Sequence, residues 1–113
     1  MSLENLKLGE ILPLLSLLSG NTDATSFILG KSYLIRTVTH ISVGRVKQIS
    51  SQEILLEDAS WIADTGRFHD ALKNGIETLS SSEVEPFVDD VVIGRGAIID
   101  ATEYRHALPR DQK

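Results

Sequence analysis

Gly94-Arg95-Gly96, in the middle of the apolar run VIGRGAII (92–99), is the stretch of this sequence best suited to holding an anion. A guanidinium presents planar N–H donors in a fork that matches phosphate. Glycines on either side carry no Cβ, so backbone amides next to the arginine can approach the same anion. A dinucleotide loop is excluded, because it needs a third glycine and a helix opening directly after it. Here Ala97, Ile98, Ile99 and Asp100 follow, and they read as a strand. The plainer use of the glycines is to let a strand bend or pack closely. Arg95 also has a plainer use, an ion pair with Asp100 or Glu103.

Other reactive side chains form no pattern. His40, His69 and His106 are far apart and lack the paired spacing of a zinc helix, so each reads as a surface or structural histidine. The absence of cysteine excludes disulfides, thiolate metal sites and thiol catalysis. No serine sits in a nucleophile elbow, so neither an enzyme nor a cofactor is expected. Trp61 reads as a core or interface anchor. Asp64, Arg67 and Asp70 after it read as a solvated face or as ion pairs between subunits.

The elements that must position Arg95 are set by period and punctuation. A chain of 113 residues with 42% hydrophobic but only 5% aromatic residues suits one domain with an aliphatic core. A net charge of −5 argues against a general nucleic-acid coat. No apolar run approaches the ~18 residues of a membrane span, so no membrane contact is expected. Glu4 and Glu10 stand where a signal peptide would be basic, so the N-terminus reads as part of the mature protein.

Residues 1–20 read as a helix: Ile11, Leu14, Leu15 and Leu18 share one face, Pro13 marks a kink or a first turn, and Gly20 is a stop. Residues 21–32 are a polar connector. From Tyr33 to Val43 the pattern alternates with period two, and Gly44 is the expected bend or bulge where the chain turns from one strand into the next. Ser50-Ser51-Gln52 makes a turn, and residues 53–62 the next strand. Residues 63–90 read as an insertion with a short helical turn carrying Phe68, Ala71 and Leu72, ended by Gly75, and then a polar loop over 76–86. Strand texture returns over 91–108, and 109–113 is a polar tail. The domain proper therefore spans 33–108, and the expected class is α+β, mainly β.

The run GRVKQISSQEILLEDA (44–59) resembles the first motif of the Sm and Hfq-like family, through Gly44, Leu55, Leu56, Glu57 and Asp58. VIGRGAII is similar to the second motif of that family, through Arg95, Gly96 and Ile99. The resemblance implies an N-terminal helix followed by a bent, five-stranded antiparallel barrel, with the insertion between strands 3 and 4. It also implies a homo-oligomeric ring in which the loops Ser50, Ser51, Gln52 and Gly94, Arg95, Gly96 converge on a ligand, a nucleotide or nucleic acid. The family's base-reading residues do not carry over: Ser50 stands near their Asp, and Glu53 and Ile54 near their Asn. Residues 33–113 also resemble a family of small phage and bacterial proteins with no assigned activity, through LEDASWIADTGRF, GRGAIIDA and HALPR.

Together these readings point to a non-enzymatic, ring-forming binding module in a bacterial or phage-infected cytoplasm. The alternative is a virion or assembly accessory protein that multimerises without a small ligand.

Overall fold

The computed structural model describes residues 25–113, so the expected helix over 1–20 and the start of the connector lie outside the described residues. The described chain is mainly β, with one short helix. The strands are β1 (Ser32–Thr37), β2 (Ile41–Ile49), β3 (Glu53–Asp64), β4 (Glu83–Pro86), β5 (Val91–Gly94) and β6 (Ile98–Glu103), and the helix is α1 (Phe68–Asn74). All pairings are antiparallel, in the order β4-β3-β2-β1-β6, with β5 also on β3. β3 is long enough to take two partners in succession on the edge away from β2. Its start, Glu53–Leu56, pairs with β5, and its end, from Ser60, pairs with β4. A 3-10 turn, Arg95–Ala97, joins β5 to β6, which returns to β1.

Apolar side chains alternate along the strands and leave on both faces of the sheet. One face buries Tyr33, Ile35, Val46, Ile54, Leu56, Ala59 and Ile93. The other buries Leu34, Val43 and Ile62 under Ala71, Ile76, Val84 and Tyr104. A strand buried on both faces reads as a continuous apolar run, which is why YLI (33–35) shows no polar position.

The first hairpin turns earlier than the sequence suggests. The alternating run breaks at Val38–His40, where the Thr37 N–H donates to the His40 carbonyl at 2.8 Å and the Thr37 hydroxyl donates to the same oxygen at 3.2 Å. Local hydroxyl bonds of this kind make a turn without glycine or proline. Gly44 therefore lies inside β2 and joins no two strands. It sits at a bulge, since the register moves from Val43↔Ser60 to Arg45↔Glu57 and sets Asp58 and Ala59 opposite Gly44. Asp58 takes φ 50°, the left-handed region that aspartate tolerates better than most residues.

The insertion is more structured than a loop. Gly75 does end α1, at φ 101°, with its N–H donating to the Ala71 carbonyl at 3.0 Å. α1 begins after Arg67 with no side-chain cap, and the turn before it is closed by Asp64, whose Oδ1 accepts from the Gly66 N–H at 2.8 Å. A 3-10 turn at Ile76–Thr78 and the strand β4 then occupy the stretch expected to be loop, and Ile76 and Val84 are fully buried. The sheet accordingly has six strands, one more than expected.

Two surface arginines fasten the ladders. Arg36 grips Asp100 with Nε donating to Oδ1 at 2.8 Å and Nη2 to Oδ2, joining β1 to β6 at the register shift. Arg45 donates to Asp58 at 2.7 Å across the bulge. Each arginine holds its partner's carboxyl below the usual range through a charged hydrogen bond. A depressed carboxyl pKa stabilises the fold above the ordinary aspartate value and loses that contribution as pH falls through the folded value. Both pairs are solvent-exposed, so each contributes little and salt weakens it. In low salt the melting temperature should fall on acidification from about pH 4. Asp100→Asn should be less stable at neutral pH and flatten the acid limb. An unchanged acid limb would mean that other carboxylates set it.

Candidate functional site

The structure brings the two expected loops together. In the β2–β3 turn, Ser50 and Glu53 close on each other, with the Ser50 N–H donating to the Glu53 carbonyl at 2.9 Å and the Glu53 N–H donating to Ser50 Oγ at 3.2 Å. Gly94 lies in register with Glu53 on β3. That pairing delivers Arg95 to the turn. Its N–H donates to the Gln52 carbonyl at 2.8 Å, and its Nη1 donates to the Ser50 carbonyl. Ser50, Ser51, Gln52, Gly94, Arg95 and Gly96 thus share one rim of the sheet, and all except the half-buried Arg95 are exposed.

Neither ion pair foreseen for Arg95 forms. Asp100 belongs to Arg36, and Glu103 lies 3.6 Å from Lys31 and 3.5 Å from Arg105. None of the ion pairs among the described residues includes Arg95. Glu53, in register with Gly94, forms none among them either. Arg95 is therefore a cation held by backbone contacts, with Nε and Nη2 in no hydrogen bond among the described residues.

The two glycines beside it are not there for packing. A Cβ built on Gly94 or Gly96 meets nothing within 4 Å among the described residues, and Gly94 has φ −69°, open to any residue. The bend that glycine was expected to permit at 94–96 is made by the 3-10 turn, and strand β6 begins directly after it, in keeping with the exclusion of a dinucleotide loop.

The remaining reactive residues are dispersed. His106 is structural: its Nε2 lies 2.8 Å from the Leu72 carbonyl, so that nitrogen carries the proton and donates, and its ring meets Tyr104 edge-on at 5.3 Å. His69 is exposed on α1. His40 stands beside Trp61, with ring centroids 6.1 Å apart. Trp61, expected as a core or interface anchor, is 39% exposed and lies outside the core. Among the described residues no helix is long and apolar enough to cross a membrane, and no three His, Asp or Glu side chains gather as metal ligands.

Comparison with protein-family models, with curated proteins and with solved structures finds no match for this chain.

Proposed function

We propose that the chain is a non-enzymatic, self-associating small β-barrel of the Sm type that holds an anionic ligand, a nucleotide or a nucleic-acid end, on Arg95. The observation that carries this reading is the state of Arg95. Two turns distant in sequence meet at it, its backbone and guanidinium are both tied to the β2–β3 turn, and no carboxylate among the described residues neutralises it. The open flanks of Gly94 and Gly96 add to this. Glycine in these positions costs about 0.5–1 kcal/mol relative to alanine. Nothing among the described residues asks for that cost, whereas an anion approaching the backbone amides would.

The chain path supports the barrel: β1 pairs with β2, β2 with β3 and β3 with β5, and the 3-10 turn, a chain connection without β5–β6 pairing, leads into β6, which pairs with β1. Self-association is supported by the edges. Among the described residues β5 pairs only with β3 and β6 only with β1, and each of these strands carries an exposed aliphatic residue, Val92 at 54% and Ile99 at 64%. Edges of this kind are satisfied when neighbouring copies pair strand to strand.

Light scattering should return a multiple of 12.4 kDa. In low salt, a labelled oligonucleotide or nucleotide should bind with saturation, and Arg95→Ala should weaken it by about tenfold or more while assembly and melting persist. Arg95→Lys, which keeps charge but loses the fork, should fall between. A monomer, or equal binding by Arg95→Ala, would refute the proposal.

A further inference from the structure

We infer that the groove between α1 and the end of β6 is a second binding site, separate from Arg95, that takes the phosphate group of a small phosphorylated ligand. The groove holds about 420 Å³ and is lined by His69, Leu72, Lys73, Thr102, Glu103 and Arg105. His69 and Lys73 are four residues apart on α1, one turn apart on the same side. Arg105 faces them from the segment leaving β6. Two cations, Lys73 and Arg105, and the imidazole of His69 thus line one groove in a chain whose net charge is −5.

Among the described residues the charge of Lys73 and Arg105 is only partly answered. Glu103 is the acidic residue of the lining, and it is shared between Arg105 at 3.5 Å and Lys31 at 3.6 Å, both long contacts. Lys73 and His69 enter no ion pair among the described residues. Other grooves differ: one is lined by Thr25, Ser26, Phe27, Tyr33, Ile98 and Ala101 and has no cation, and in another the sole arginine, Arg36, is already bound to Asp100. Lys73 alone would be explained by the carbonyls at the C-terminal end of α1, which favour a cation. That does not account for Arg105 and His69 facing the same space.

The walls are also fixed. His106 binds the Leu72 carbonyl and meets the Tyr104 ring edge-on, and the Tyr104 hydroxyl accepts from the Ile76 N–H at 2.9 Å, so α1 is pinned to the end of β6. A volume of this size lies within the range of small-molecule sites, about 300–1,000 Å³. The basic residues suit a phosphate, Leu72 offers an apolar wall, and the Thr102 hydroxyl can bond a polar substituent.

The test titrates the whole isotope-labelled chain with inorganic pyrophosphate and, separately, with a nucleoside diphosphate at low ionic strength, following amide resonances. Saturable shifts are expected at residues 72–74 and 102–105. Lys73→Gln with Arg105→Gln should weaken binding about tenfold for each cation removed. Arg95→Ala should leave these shifts unchanged. Tighter binding of the nucleotide would assign the site to an organic phosphate, and equal binding to the phosphate group alone; either supports the inference. Absence of saturable shifts with both probes overturns it, as does an undiminished response in the double variant. Shifts confined to residues 50–52 and 94–96 would overturn this site and leave the Arg95 reading standing.

Discussion

Gly44→Val should cost about 3 kcal/mol or more of folding stability, or on the order of 15 °C in melting temperature for a domain of this size. The reason is the close approach of β3 at the bulge. A Cβ at position 44 would lie 2.8 Å from Ala59 Cβ, 3.1 Å from Leu56 Cβ and 3.2 Å from Ala59 Cα. None of these atoms can swing away, because two are bonded directly to the backbone and the third is a main-chain carbon. Relief would have to come from separating β2 from β3, the ladder that Val46 and Leu56 close over the core. Gly44→Ala should cost less, about 1–3 kcal/mol. Adding Ala59→Gly should recover part of that loss, since it removes the nearest obstructing atom. Gly94→Ala serves as the contrast: with open space and φ −69°, it should be neutral or slightly stabilising. Thermal and urea melts of the four variants check the set. Parental stability of Gly44→Val would mean that the two strands do not meet as closely as the bulge requires.

The bulge also shows what the sequence could and could not reveal. Gly44 was legible as a special position because it interrupts a β-branched run. A bulge was among its readings, but its place inside one strand was not, nor was the close contact, because the obstruction comes from Ala59, fifteen residues further along. The β2–β3 hairpin was legible throughout, since a polar Ser-Ser-Gln turn separates two apolar runs. The turn at Val38–His40 was hidden by its chemistry: Thr37 and Thr39 are β-branched, so they read as strand, and only their hydroxyl bonds reveal a turn. β4 was hidden by brevity. Its inward Val84 is fully buried, but a single apolar position among serines and glutamates carries no periodicity.

The meeting of Ser50 with Arg95 joins residues 45 apart. Local pattern says nothing about such a contact, and the expectation rested on the resemblance of two short motifs. The groove at His69, Lys73 and Arg105 had no sequence signal beyond the four-residue spacing of the first two, because it exists only once α1 is docked against the end of β6.

Ending the chain at Leu108 should cost about 3–6 kcal/mol, much of the 5–15 kcal/mol by which a domain of this kind is stable. Residues 109–113 read as a polar tail, and their composition is indeed polar, yet they are strapped across β3 and β4. Pro109 is fully buried, and its carbonyl accepts from Ser60 Oγ at 2.7 Å. Ser60 is itself fully buried, so removing Pro109 leaves its hydroxyl without a partner at a cost of about 1–3 kcal/mol. Arg110 donates to the Ala59 carbonyl at 2.6 Å and to the Phe87 carbonyl at 3.0 Å, tying the bulge to the end of β4. Lys113 exchanges both backbone hydrogen bonds with Val84 at 3.0 Å, which covers the outer edge of β4. Loss of the strap therefore removes a buried side chain, orphans a buried donor and leaves a strand edge open to pairing with other chains. Arg110→Ala alone should cost about 1 kcal/mol, because its bonds are only partly shielded from water. Ser60→Ala in the shortened chain should restore part of the loss, since the orphaned hydroxyl is then gone. Urea denaturation measures all three, and amide exchange of Val84 should accelerate in the shortened chain. A shortened chain within about 1 kcal/mol of the parent, with Val84 still protected, would reduce the strap to a surface tail after all.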